Sequence, residues 1–310
     1  MGKDAYVSAG PSDRPKYWTT LEQGEAIRAQ LGLIRDGSRV LEVGTAAGHV
    51  TQLLNQKGAA VTGIEMDESL GALAAPLCER MIIGDVEALD LDAHVPDTFD
   101  VILCGDVLEH LRNPGAVLCK LRRRLVPDGY LVVSLPNVAH ASVRLDLLAG
   151  EFKYVREGLL DATHLRFFTL ASIVELFNKC GFEIKDLYRA RQGPFDTEIH
   201  VSPLRVSAFA FRNIMKDSEA TSYQFVFRAV PSERANTLID FADPTFDSAR
   251  QLRQLSIRCM KEARAALRRP ERDHIEARAW SRLAFVCCPS AKAIKCWLAS
   301  LSPTRVWGTD

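Results

Sequence analysis

The stretch Val40-Leu-Glu-Val-Gly-Thr-Ala-Ala-Gly-His-Val50 constrains this chain most, because it reads as an apolar strand running into a glycine loop that opens a helix. Gly44 suits the backbone angles of a tight turn. Gly48 lets the helix over 51–56 start close to the strand with its first N–H groups free, the arrangement that holds nucleotide-like ligands. The dinucleotide fingerprint is excluded, since G-x-G-x-x-G counted from Gly44 needs glycine where Ala46 and His49 stand. Glu42, two residues before the first glycine, is an acid inside an otherwise apolar run.

Further strand ends carry acids. The apolar segment 60–65 ends in Glu65, about 20 residues past the loop, the separation expected of a carboxylate that binds a ribose diol. Arg80-Met-Ile-Ile-Gly-Asp85-Val86 ends in Gly-Asp, and 99–106 ends in Gly105-Asp106 before Val-Leu-Glu109-His110-Leu111. A turn at 126–129 precedes a fifth strand ending at Leu135. Any one of these acids alone reads as a solvated cap, but five ordered elements do not.

Together these motifs, with Asp106-Val-Leu-Glu-His-Leu111 and Leu135-Pro-Asn137, resemble the class I S-adenosylmethionine-dependent methyltransferases, in the branch related to ubiquinone-biosynthesis and methionine-W-type enzymes (methyltransferase domain 23). Gly158-Leu-Leu-Asp161-Ala-Thr-His164-Leu-Arg166-Phe-Phe-Thr169 and 223–230 are similar to segments in bacterial methyltransferases of surface-glycan and natural-product clusters. The resemblance covers roughly residues 17–232. It implies S-adenosylmethionine as cofactor, with Gly44, Ala46 and Gly48 facing its methionine and ribose portion. Glu42 would orient the amino group, Glu65 would bind the ribose hydroxyls, Asp85 and the Val86 N–H the adenine, and Asp106 the methionine end; Met66, next to Glu65, would also touch the cofactor. One departure is Ala46, where the family usually has its central glycine.

The expected fold is α/β: a doubly wound, Rossmann-like seven-stranded sheet with its last strand antiparallel, plus a C-terminal helical appendage. A helix over 21–31 precedes the first strand. Strands over 182–188 and 223–229 close the sheet, joined by a loop rather than a packed helix. A flexible arm (1–16) would lead into the methyltransferase domain (17–232), with cap insertions at 136–169 and 191–221 and a basic extension at 233–310. Both insertions are too long for simple connections and are expected to form the acceptor pocket.

Methyl transfer from a sulfonium needs proximity and alignment, plus a base when the acceptor is a hydroxyl. His164 is the first candidate base, with Asp161 to fix its tautomer; His140 is second and His110 third. The competing structural reading has His164 and Arg166 anchoring the cap loop, His110 capping a helix, and Glu109 as a solvated charge. Asn137 is a candidate for the pocket lining, and Tyr154, Phe167 and Phe168 would exclude water. The expected reaction is O-methylation of a small-molecule or sugar acceptor. N-methylation and a non-catalytic cofactor-binding scaffold are the alternatives.

The formal charge of zero conceals an asymmetry: residues 234–310 hold 14 Lys+Arg against 8 Asp+Glu. Three helices are expected there, over 251–269, 275–288 and 291–301, separated by Pro270 and Pro289. Ile294, Trp297, Leu298 and Leu301 share one face. Packing on the core or a homodimer through these helices is the plain reading, membrane-surface contact the next, and nucleic acid is not expected. Eight cysteines without C-x-x-C spacing indicate no disulfides, and Cys287, Cys288, Cys296 and His274 lack the usual spacing of zinc ligands. No secretory or spanning stretch is read, and Tyr6 stands where a myristoylation signal needs Ser or Thr, so a cytoplasmic protein is expected.

Overall fold

The computed structural model describes residues 21–233, 246–269 and 273–301, so the arm at 1–16, Tyr6 and Pro270 lie outside the described residues. The chain divides into two compact units, the first formed by 1–136, 165–191 and 224–237, the second by 137–164, 192–223 and 238–310.

The first unit is built on a seven-stranded sheet in the order β3-β2-β1-β4-β5-β7-β6. Its strands are β1 (Arg39–Val43), β2 (Ala60–Glu65), β3 (Arg80–Ile83), β4 (Phe99–Gly105), β5 (Leu125–Pro136), β6 (Phe182–Arg191) and β7 (Ser222–Pro231). β1 is buried from Val40 through Val43, a continuous run that belongs to a parallel strand covered on both faces. It pairs in parallel with β2 (Val40↔Val61) and with β4 (Val40↔Val101), and β4 continues in parallel to β5. β7 runs antiparallel to β5, Val133 opposite Phe227, as expected of the last strand.

Local chemistry sets the helices. α1 (Leu21–Leu33) leads into β1, and α2 (His49–Gln56) starts at Gly48, whose φ is 84°. α3 (Glu68–Ala74) is capped by Asp67, which accepts the N–H groups of Ser69 and Leu70, and α4 (Leu91–His94) by Asp90. α5 (Pro114–Arg122) has proline in its first turn, where no N–H is needed, and Asn113 as its cap. The core joins Ile34, Val40, Leu54, Val61, Val101, Leu103, Tyr130 and Val132.

The second unit carries α6 (Ala141–Leu148), α8 (Ala208–Ile214), α9 (Ser248–Arg268), α10 (His274–Cys287) and α11 (Ala291–Leu301); α7 (Leu170–Lys179), capped by Thr169, belongs to the first. The C-terminal helices α9, α10 and α11 are present as expected, in one unit with residues 137–164 and 192–223. One expectation changes here. The link between β6 and β7 contains the helix α8 rather than a plain loop. The physical reason is apolar burial: Phe195 lies 5.6 Å from Phe211 of α8 and 4.8 Å from Trp280 of α10, and Arg258 pairs with Asp196. No described helix is long and apolar enough to cross a membrane.

Candidate active site

The loop after β1 is tied down at both of its glycines. The Gly44 N–H donates to the Ile64 carbonyl at 2.8 Å and the Gly48 N–H to the Thr45 carbonyl at 2.9 Å. Gly44 has φ 75°, and a Cβ there would lie 2.8 Å from the Val107 side chain; one at Gly48 would meet Leu77 at 2.8 Å. Ala46 also adopts a positive φ, 44°, and stays exposed at the loop crest.

The two acids of β1 and β2 hold this loop. Glu65 accepts the Ala46 N–H at 2.8 Å with one carboxylate oxygen and the Asp67 N–H at 3.0 Å with the other. It therefore joins the glycine loop to the start of α3. Glu42 is buried behind the loop and accepts the Thr51 hydroxyl at 2.6 Å. Burial pushes its carboxyl up to about 7 against the pull of the Thr51 hydrogen bond, and the negative charge of Glu65 adds to the rise. Thr51 was not singled out from the sequence, although a hydroxyl nine residues after a buried acid, on the first turn of the following helix, is a readable sign.

Beyond β2 the wall becomes apolar and open. Met66 is 73% exposed, and Ile83, whose strand position is registered with Glu65, is 44% exposed. Gly71 in α3 permits this, since a Cβ there would lie 2.2 Å from the Ile83 Cδ1. Asp85 follows, exposed and accepting the Glu87 N–H at 2.8 Å, and Val86 next to it is buried.

Asp106, after β4, has φ 55° and a carboxylate oxygen that accepts the Ser134 hydroxyl at 2.9 Å and the Gln224 side-chain N–H. Ser134 itself accepts Gln30 Nε2 at 2.9 Å. Gln30, Ser134 and Gln224 are all buried, and none was singled out from the sequence. Ser134 left a signal, being the one polar residue in the otherwise apolar run Tyr130–Leu135. Gln30 and Gln224 left none.

Glu42, Gly44, Ala46, Gly48, Glu65, Met66, Asp85, Val86 and Asp106 thus all lie in the first unit, at or just beyond the carboxyl ends of four adjacent strands, β3-β2-β1-β4. Ligands of doubly wound sheets bind at that edge.

The histidines behave differently. His140 is fully buried and caps α6: its Nδ1 accepts the Ser142 N–H at 3.2 Å and contacts the Ser142 hydroxyl at 2.8 Å. Its Nε2 lies 3.0 Å from the Gln192 carbonyl, which can only accept, so the proton sits on Nε2. Burial pushes the ring down to about 4. His140 is therefore no general base, because its one lone pair is already taken by Ser142. Asn137, expected near the pocket, is likewise buried and ties the carbonyls of Glu219 and Ser222. His164 is half-buried, and its N–H donates to the Asp161 carbonyl at 3.1 Å. Asp161 Oδ1 takes the Thr163 N–H at 2.7 Å and its hydroxyl at 2.6 Å, so that oxygen shapes the turn. Immediately after His164, the N–H groups of Leu165 and Arg166 both donate to the Glu109 carbonyl, at 2.8 and 2.9 Å. Arg166 Nε also donates to the Arg112 carbonyl at 3.1 Å, anchoring this segment as the structural reading expected.

A glycine loop under a helix N-terminus, an acid closing β2 and an exposed apolar wall ending in an exposed acid suit an adenosyl ligand, and they define a class I methyltransferase on a doubly wound sheet. Residues 15–187 match the methyltransferase domain family, and the chain belongs to it. Among curated relatives, the ubiquinone biosynthesis O-methyltransferase of Aeromonas salmonicida is 26% identical over 52% of this chain and 70% of its own length. That of Pseudomonas entomophila is 29% identical over 54% and 73%. Among solved structures, the 1,6-didemethyltoxoflavin-N1-methyltransferase of Burkholderia thailandensis, with bound 1,6-didemethyltoxoflavin and S-adenosylhomocysteine, aligns with 72% of this chain and 83% of its own. Its identity is 20% and its TM-score 0.47. The protein is an S-adenosylmethionine-dependent methyltransferase.

Proposed function

We propose that the protein methylates a hydroxyl oxygen of a small-molecule or glycan acceptor, with His164 as general base. Oxygen as the methylated atom is supported by the relatives, which are named as O-methyltransferases. The observation that carries His164 is the placement of the segment that follows it. The paired amides of Leu165 and Arg166 on the Glu109 carbonyl hold that segment to the turn that follows Asp106, itself at the carboxyl end of β4.

S-Adenosylmethionine supplies an electrophilic methyl on a sulfonium, whose leaving group is a neutral thioether. The residues do the holding. Each Glu65 oxygen takes one backbone N–H and keeps a second lone pair, which accepts a ribose hydroxyl. Met66 and Ile83 cover the purine faces, and Asp85 accepts from its amino group beside the Val86 N–H. Gly44, Ala46 and Gly48 keep the loop backbone close to the ligand, with Glu42 bracing the loop through Thr51. Asp106, fixed by Ser134 and Gln224, presents its carboxylate toward the methionine end. His164 removes the acceptor proton.

Calorimetric titration with S-adenosylmethionine, S-adenosylhomocysteine and NAD tests the cofactor assignment: the first two bind and NAD does not. A His164→Ala variant that binds S-adenosylhomocysteine normally but turns over hydroxyl acceptors about 10²–10⁴-fold more slowly supports the base. Undiminished turnover refutes it and points to N-methylation, where the acceptor needs less basic help.

A further inference from the structure

α11 is turned inside out for a surface helix. Its buried positions are small, Ala293, Cys296 and Ser300, while Ile294, Trp297 and Leu298 are exposed. The inward face is specified by contacts within the second unit: the Cys296 thiol reaches the Ser281 hydroxyl at 3.6 Å, and Arg278 Nε donates to the Ser300 carbonyl at 3.0 Å. Trp297 stacks on the exposed Phe285 of α10, with centroids 6.5 Å apart and planes 22° from parallel. Burying the large side chains would relieve their exposure to water, so their outward placement marks a contact surface.

We propose that this α10–α11 face docks on an anionic lipid surface. Charge argues for that occupant. From Ala277 to Leu301, over α10 and α11, the sequence holds four cations, Arg278, Arg282, Lys292 and Lys295, and no acid. Lys292 and Lys295 are both exposed on α11 itself, beside the apolar group. Aromatic and aliphatic side chains flanked by lysine form the pattern that lies in a headgroup layer, with ring and chain in the acyl boundary and ammonium groups on lipid phosphates. A second copy of this chain fits less well. A twofold contact would set the same lysines against themselves, and like charges across an interface oppose association. Docking needs neither acceptor nor cofactor, so its test stands apart from the proposed reaction.

The test is co-sedimentation of the full chain with vesicles of phosphatidylcholine alone and of phosphatidylcholine mixed with phosphatidylglycerol. The expected result is partition into the mixed vesicles only, reversed by added salt. Lys292→Gln with Lys295→Gln should weaken it about 25-fold, roughly fivefold per lysine. Trp297→Ser with Leu298→Ser should lower it further; both pairs are exposed, and an unchanged circular-dichroism melt confirms that each variant folds. Absence of partition overturns the proposal, as does equal partition into both vesicle types or into wild type and variants alike. A concentration-dependent dimer that Leu298→Glu dissolves, without vesicle binding, assigns the face to a second copy instead.

Discussion

Glu42→Gln isolates the electrostatics behind the glycine loop after β1. The folded Glu42 carboxyl titrates at about 7 against an ordinary 4.5, because burial outweighs the single Thr51 hydrogen bond. Between those values the folded chain holds a proton that the unfolded chain has lost. The stability contributed by this group is complete below pH 4.5 and is lost as pH rises through about 7. The displacement is worth about 3 kcal/mol over that window. Glutamine keeps the shape and can still accept the Thr51 hydroxyl, but it does not titrate. Its buried N–H₂ costs about 1–3 kcal/mol at every pH, which offsets the curve without tilting it. His140 tilts the wild-type curve the other way, since its folded value near 4 lies below its ordinary 6.5: its contribution is present above 6.5 and fades as pH falls through about 4. The difference between wild type and variant removes that opposing slope. Urea denaturation of both proteins from about pH 4.5 to 8 should show wild type losing about 3 kcal/mol relative to Glu42→Gln. Parallel curves would mean that Glu42 is ionised in the folded state and that the buried-acid account is wrong.

Gly48→Ala should lower stability by about 2–4 kcal/mol and abolish cofactor binding, because φ 84° strains alanine and its Cβ meets Leu77 at 2.8 Å; thermal melts and calorimetry with S-adenosylhomocysteine check both effects. Glu65→Ala should weaken S-adenosylmethionine binding by about tenfold to a hundredfold, since it removes the proposed ribose acceptor and frees the Ala46 N–H together; unchanged affinity would contradict the ribose assignment. His140→Ala should destabilise by about 2–4 kcal/mol through loss of a cap and a buried ring, while the folded fraction keeps its turnover; a selective fall in kcat at unchanged melting temperature would restore His140 as a base.

The carboxyl edge of the sheet was legible in the sequence because its determinants are local. A strand, a glycine loop and the start of a helix occupy 11 consecutive residues, and glycine at 44 and 48 permits the positive φ that both adopt. Glu65, Asp85 and Asp106 could be placed on strand ends because apolar runs stop where those acids begin. The antiparallel β7 was likewise readable from strand count and family resemblance. Roles that depend on partners far along the chain were not. Asp106 is held by Ser134 and Gln224, 28 and 118 residues away, and Ser134 by Gln30, 104 residues away. His140 looked like a base beside a strand end until burial and Ser142 claimed its lone pair. The sequence by itself determined which backbone turns and which acids stand at the carboxyl edge of the sheet, since turn propensity and apolar periodicity are properties of neighbouring residues. Only the tertiary structure decided which polar groups are desolvated and which partners they find, because burial is set by the whole packed chain.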